Sequence, residues 1–277
     1  MRAPRAAAAG AALAALATWS AWIEPRRLVL RELELRLPRW PARLDGLRAG
    51  VLADIHAGVP HAGIAAIARA VERLNGARPD VHLLLGDYLD ASQVLRRALA
   101  PQLVARELGR LEAPLGTVAV LGNHDWRAAG DGMWRALARA GVTVLENRAV
   151  ELIVANGAFW VVGLADARHR RPDLVTALAP VPADAPALLL AHDPDLFPYV
   201  PSRVALTLSG HTHGGQVAIP FLRRPALPSR YGERYARGHV EERGRHLYVS
   251  SGIGTSGVPV RLLAPPEVLV LTLRPAR

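Results

Sequence analysis

From Leu28 onward, short apolar runs alternate with amphipathic stretches along the whole chain. The apolar runs, rich in Val, Leu and Ala and bounded by turn residues, predict strands over Leu28–Leu37, Arg48–Ala53, Val81–Leu85, Thr117–Leu121, Val142–Leu145 and Ala149–Val154. Further strands are predicted over Phe159–Leu164, Ala187–Ala191, Val204–Leu208, Gln216–Ile219, His246–Ser250 and Val268–Leu273. Helical periodicity falls on Gly63–Leu74, Gln93–Leu111, Asp131–Ala140 and Pro172–Leu178. Helices are interspersed in the first half, and the second half is strand-rich. This order predicts a layered α/β domain with mixed sheets over residues 28–277, with no repeat or linker inside it.

Residues 1–27 read differently. Ala6 to Ile23 carries no charge, with Arg2 and Arg5 before it and Glu24, Arg26 and Arg27 after it. Its length of about 18 residues is the lower limit for a membrane span, and Trp19 and Trp22 sit where an interfacial belt belongs. Three readings stand open: a single membrane anchor, a signal peptide cleaved at Ala15-Leu16-Ala17, or a peripheral helix. Arg26, Arg27 and Arg31 slightly outweigh Arg2 and Arg5, which favours a cytoplasmic position for the remainder.

Composition changes this picture mainly by exclusion. All 34 basic residues are arginine, so the net charge of +10 follows a compositional bias rather than one selected surface. No run of five basic residues occurs, and no specific nucleic-acid partner is expected. The absence of cysteine removes disulfides and thiolate chemistry. Without lysine there is no phosphate-binding G-x-x-x-x-G-K loop, and no G-x-S-x-G elbow is present.

The candidate chemistry lies directly after the apolar runs. Asp54-Ile55-His56, Gly86-Asp87 through Asp90, Gly122-Asn123-His124-Asp125, a lone His192 and Gly210-His211-Thr212-His213-Gly214-Gly215 all fall at strand ends, where ligand groups gather in α/β sheets. Taken singly, each block has a plain structural reading; Gly-Asn-His-Asp, for example, is also a turn sequence. The ordered set of five points to a site. Imidazole, carboxylate and amide donors together suit a divalent ion such as Mn²⁺, Fe²⁺ or Zn²⁺.

These five blocks resemble the calcineurin-like metallophosphoesterase superfamily, whose signature runs D-x-H, GD-x-x-D, GNH(D/E), H, GH-x-H. The longer Gly210 to Gln216 block, with Ser250 to Gly254, Pro259-Val260-Arg261 and Pro266-Glu267, is similar to its bacterial YkuE/YaeI-like phosphodiesterase branch. The resemblance implies a β-sandwich of two mixed sheets flanked by helices, preceded by one hydrophobic N-terminal helix. It implies two divalent ions (Mn²⁺ first; Fe²⁺, Zn²⁺ or Mg²⁺ as alternatives). One would be held by Asp54, His56 and His213, the other by Asn123, His192 and His211, with Asp87 shared. His124 would protonate the leaving oxygen, Asp125 would orient His124, and Asp90 would order its loop. Ala53 and Asp193 stand where serine and asparagine are common in the branch.

The function so implied is hydrolysis of phosphodiester or pyrophosphate bonds at a bacterial inner membrane. The substrate is expected to be lipid-linked, such as UDP-2,3-diacylglucosamine in lipid A synthesis. Hydrolysis of nucleotides or small soluble esters is the alternative, and a non-catalytic metal-binding scaffold is a third. Arg223, Arg224, Arg230 and Tyr231, in a proline-rich loop, are candidates for gripping phosphate or stacking on a base or sugar, against the alternative of a solvated loop.

Overall fold

The central strands are buried on both faces, as near-continuous apolar runs require. A computed structural model describes residues 3–92, 99–219 and 227–276. The first sheet contains β1 (Val29–Leu37), β2 (Leu47–Leu52), β3 (Val81–Leu84), β4 (Thr117–Ala119), β5 (Thr143–Val144) and β12 (Glu267–Pro275). Its order is β1-β12-β2-β3-β4-β5. The second contains β6 (Arg148–Val154), β7 (Gly157–Gly163), β8 (Ala187–Leu190), β9 (Leu206–Ser209), β10 (Gly238–Glu242) and β11 (Arg245–Val249), in the order β10-β11-β9-β8-β7-β6. β2 to β5 run parallel, as do β7, β8, β9 and β11. Antiparallel β2–β12, β6–β7 and β10–β11 pairs make both sheets mixed.

Alternate residues of each strand face opposite layers. Leu269, Leu271 and Leu273 of β12 and Leu188 and Leu190 of β8 enter the core between the sheets, with Val51 and Leu83. Val268 and Val270 face outward instead, under α2 (Ile64–Gly76), α3 (Pro101–Leu108) and α5 (Asp131–Arg139). α4 (Asn123–Ala128) follows β4, and Leu189 packs outward beside α6 (Leu174–Leu178). The expected sandwich of two mixed sheets with flanking helices is the observed fold.

Several boundaries differ from the sequence reading, each for a local reason. Gln216–Ile219 forms no strand; Gln216 sits at φ +51°, and only an isolated bridge joins Val217 to Leu262. The edge strand β10 reads as polar, Gly-His-Val-Glu-Glu, and is formed through a hairpin whose Arg243 and Gly244 both have positive φ. α4 forms where a turn is equally legible. α3 begins at Pro101, a residue suited to a first helical turn; residues 93–98 of the predicted helix lie outside the described residues.

The N-terminal helix α1 (Ala3–Thr18) continues into a π-turn (Trp19–Ile23) and a 3₁₀ turn (Glu24–Arg26). No helix among the described residues is long and apolar enough to cross a membrane. Glu24 and Pro25 are buried against the sandwich, so packing to the domain begins ahead of residue 28.

Trp40 plugs the core between the sheets. It is 2% exposed, meets Phe159 edge-on at 5.6 Å and donates its indole N–H to Leu44 O at 2.9 Å. Trp40→Ala is expected to cost about 3–5 kcal/mol through the cavity it leaves, read as a lower urea midpoint at unchanged slope. Trp40→Phe should cost less.

Candidate metal centre

Strands of both sheets run out at one edge, and the turns leaving them carry all five polar blocks. Asp54 and His56 follow β2, Asp87 follows β3, and Asn123 opens α4 after β4. His192 follows β8, and His211 and His213 follow β9. Asp54, His56, Asp87, His211 and His213 all adopt positive φ, between +47° and +73°. Side chains with a Cβ pay for that conformation in strain, and such strain concentrates at functional sites. Cross-links between the turns hold it. Asp54 N donates to Gly86 O (3.0 Å), His56 N to Asp87 O (2.9 Å), and His211 N to Asp54 Oδ1 (2.9 Å). Two glycines permit the approach: a Cβ on Gly122 would lie 2.2 Å from Asp87 Oδ1, and one on Gly210 2.5 Å from Asp54 Oδ2.

Two buried trios result. Asp54, His56 and His213 offer ligand-type atoms all within 4.8 Å of one another, and so do Asp87, His192 and His211. Asp87 stands between the trios. Its Oδ1 accepts from His124 N at 2.7 Å, while its Oδ2 lies 3.4 Å from His56 Nε2 and 3.2 Å from His192 Nε2. His192 Nδ1–H donates to Leu85 O at 2.7 Å, which turns Nε2 into the site, 3.2 Å from both Asp87 Oδ2 and His211 Nδ1; a metal-bound histidine is usually anchored in this way through its other nitrogen.

The residues present fit divalent ions. His56 Nε2, Asn123 Oδ1, His211 Nε2 and His213 Nδ1 are buried without a hydrogen bond. A buried polar atom left unpaired costs about 1–3 kcal/mol, and a mixed nitrogen and oxygen donor set is what a borderline cation takes.

The charges make the same demand. Burial, with Asp87 nearby, pushes the Asp54 carboxyl up to about 6. Burial also opposes charge on His56 and His192, but the surrounding carboxylates outweigh it and raise them to about 9 and about 10. Burial and neighbouring imidazoles hold His211 and His213 well below the usual histidine range. Without metal, and against the effect of burial, charge on His56 and His192 is what balances Asp87, whose carboxyl they hold well below the usual range; a divalent cation among the same groups supplies that positive charge instead.

His124 lies at the mouth, its side chain 13% exposed and its ring 4.5 Å from that of His56. Its Nδ1 accepts from Ala91 N–H at 3.1 Å, with Asp90 Oδ1 at 3.5 Å. The neutral ring with its proton on Nε2 accepts from Ala91, whereas the imidazolium turns an Nδ1–H towards Asp90. Asp125 does not contact the His124 ring. Its Oδ1 takes the amides of Tyr88 (2.8 Å) and Leu89 (3.0 Å), and its Oδ2 that of Gly122 (3.0 Å). The expected orienting role therefore passes to Ala91 and Asp90, while Asp125 ties the Asp87 turn to the start of α4.

A cleft of about 620 Å³ opens over Asp87, Asn123, His124, His211 and His213. Arg127 and Arg168 line it, and both escape sequence reasoning because neither belongs to a motif. Arg168 reaches Pro228 O (2.8 Å) and Asp193 Oδ2 (3.7 Å), whereas Arg127 has no polar partner among the described residues. Arg230 and Tyr231 are not in the cleft lining. Asp195 accepts Arg230 N and faces its guanidinium, and Tyr231 packs on Tyr235. Arg223 and Arg224 lie outside the described residues.

Asp125→Ala is expected to lose at least about 3 kcal/mol of stability, since three buried amides lose their acceptor at about 1–3 kcal/mol each. Thermal unfolding of the metal-free protein checks this; a small loss would show that the carboxylate does not hold the turns.

Residues 47–215 match the calcineurin-like phosphoesterase family. The chain is 30% identical to the uncharacterized metallophosphoesterase YkuE of Bacillus subtilis, over 92% of this chain and 88% of that one. It is 34% identical to the phosphodiesterase YaeI of Escherichia coli, over 80% of each. A transmembrane protein with metallophosphoesterase domain from Danio rerio is 30% identical over 91% of this chain, which spans only 58% of that longer protein. The ordered blocks, the fold and these similarities converge, and the chain belongs to the calcineurin-like phosphoesterase family.

Proposed function

We propose that the protein is a two-metal hydrolase of phosphodiester or pyrophosphate bonds. The observation that carries this reading is the pair of buried trios, Asp54-His56-His213 and Asp87-His192-His211, joined by Asp87 Oδ2 facing His56 as well as His192, with four buried donor atoms unpaired. Asp54, His56 and His213 hold one ion. Asn123, His192 and His211 would hold the other, and Asp87 would be shared between them, its Oδ1 fixed by the His124 amide. Two divalent ions, Mn²⁺ in this proposal, supply Lewis-acid neutralisation of phosphoryl oxygens and acidify a water near neutral pH. His124, as the imidazolium with Nδ1–H facing Asp90 Oδ1, would give its Nε2 proton to the leaving oxygen and return to the neutral ring, and Arg127 and Arg168 hold the anionic groups beside the scissile bond. That the Escherichia coli relative is named a phosphodiesterase supports the reaction class.

The finer reading is that the substrate is lipid-linked, such as UDP-2,3-diacylglucosamine, met at a bacterial inner membrane with the catalytic domain on the cytoplasmic side. Val217, Val258 and Val260 give one cleft wall an apolar face. The neighbouring N-terminal segment exposes Leu13, Leu16, Trp19, Trp22 and Ile23, with Arg26 stacked 3.7 Å over the Trp22 ring. Aromatic and basic side chains in that combination suit a lipid interface.

His124→Ala should retain both ions and lose about 10²–10⁴-fold in turnover, whereas Asp87→Asn should lower occupancy of both positions. Metal analysis beside steady-state kinetics on an aryl phosphodiester separates the two, and metal loss in His124→Ala would make that histidine a ligand. Arg127→Ala and Arg168→Ala should mainly raise KM. For the substrate, Mn²⁺-reconstituted protein is compared on detergent-dispersed UDP-2,3-diacylglucosamine and on soluble phosphodiesters and nucleotides. Preference for the soluble compounds would replace the lipid reading with the nucleotide or small-ester one. Two bound ions with no turnover on any ester would leave only the scaffold.

A further inference from the structure

Arg261 lies outside the five polar blocks, and its side chain is removed from solvent altogether. It makes no ion pair among the described residues. Its guanidinium is caged by backbone carbonyls: Nε donates to Gly254 O (3.1 Å), Nη1 to Ala264 O (2.8 Å), and Nη2 to Ser251 O (2.8 Å) and Gly252 O (3.2 Å). Burying a cation without a contacting carboxylate is expensive, and an apolar side chain of similar volume would fill the space at less cost. The rigid, forked geometry of arginine is what several carbonyls in one loop require.

That loop is the wall behind Asp54. Ile253 N donates to Ala53 O (3.2 Å) and Gly254 N to Asp54 O (2.7 Å). There is no slack in the seam, because a Cβ on Gly252 would lie 2.5 Å from Asp54 Cβ and one on Gly254 2.1 Å from Ile55 O. The segment so buttressed is the one where Asp54 and His56 adopt positive φ on either side of Ile55. The N-terminal linker closes the far side of the same cage. Arg261 N donates to Ser20 O (2.9 Å), Ala264 N to Glu24 Oε1 (2.8 Å), and Trp19 Nε1 to Glu24 Oε2 (2.9 Å).

We propose that Arg261 is a positioning residue: by caging the Ser251–Gly254 loop it holds the Asp54–His56 turn in ligand geometry, and so sets the affinity of the ion position formed by Asp54, His56 and His213. This rests on the two-metal reading above. Removing a partner behind a metal ligand typically costs about 10–100-fold in metal affinity. The loss falls chiefly on that position, since the loop bonds the Asp54 segment directly and reaches His211 only through the Asp54 carboxylate.

The test uses the full chain, stripped of metal and titrated with Mn²⁺ by calorimetry and electron paramagnetic resonance. Arg261→Lys keeps the charge but reaches fewer carbonyls, Arg261→Met removes the charge, and Gly252→Ala strains the seam against Asp54 while leaving the Arg261 side chain itself in place. Trp40→Phe serves as a variant destabilised far from the site. In Arg261→Lys one Mn²⁺ is expected to bind about tenfold or more weaker while the other weakens less. The spin-coupled two-Mn²⁺ signal gives way to that of a single ion, and phosphodiester turnover recovers in excess Mn²⁺. Trp40→Phe lowers the unfolding midpoint with both affinities intact. If Arg261→Met does not fold, Arg261→Lys and Gly252→Ala decide. Folded variants that bind both ions as tightly as wild type overturn the proposal. Wild-type protein that takes up no Mn²⁺ overturns the metal reading itself, a result distinct from equal binding by wild type and variants.

Discussion

Asp87 is a carboxylate almost wholly out of water, held on one oxygen by the His124 amide at the start of a helix and facing two imidazoles with the other. Removing an ion from water costs several kcal/mol even after relaxation, and the cost is recovered only where each lone pair has a partner of good geometry. Asp54, Asp87 and Asp125, with His56, His192, His211 and His213, are all buried at one edge of the sandwich. The architecture around them follows from that constraint. Backbone amides neutralise the oxygens that face away from the centre, which leaves the inward atoms free for cations.

The two sheets contribute unequally but in the same manner. Parallel strands deliver their last residues to a common edge, and the turns after β2, β3 and β9 are bent into the left-handed region. Such turns are intrinsically unstable. They persist because each is hydrogen-bonded to its neighbour: the Asp54 turn to the Asp87 turn, the His211 turn to Asp54, and the α4 start to Asp87. The site is therefore cooperative in construction, with no ligand held by its own loop alone.

The inward half of this construction was legible in the residues. Ligand-type side chains have few structural reasons to recur after apolar runs, and glycines before Asp87, Asn123 and His211 announce close backbone approach. The outward half was not. Asp125 reads as a partner for the adjacent His124, but its oxygens reach amides at Tyr88, Leu89 and Gly122, and only the turn geometry brings these together. Arg127 and Arg168 are two among many arginines, and their place in the cleft depends on where α4 and the loop after β7 come to rest. Strand β10 was missed because an edge strand exposed to water needs no alternation of apolar residues, only a hairpin turn and one free neighbour.

The N-terminal segment shows most clearly how a tertiary contact changes the meaning of a local pattern. Read along the chain, charge returns at Glu24 and the apolar stretch ends there, so Glu24 looks like a solvated boundary. In the fold it is buried, accepting one bond from the segment's own Trp19 and one from Ala264 in the loop that carries Arg261. A linker tied down in this way is not a free tether. Ser20 O accepts from Arg261 N, one residue beyond Val260, so the linker meets the domain beside the apolar wall of the cleft. The same few residues thus join the N-terminal segment, the cleft wall and the loop behind Asp54.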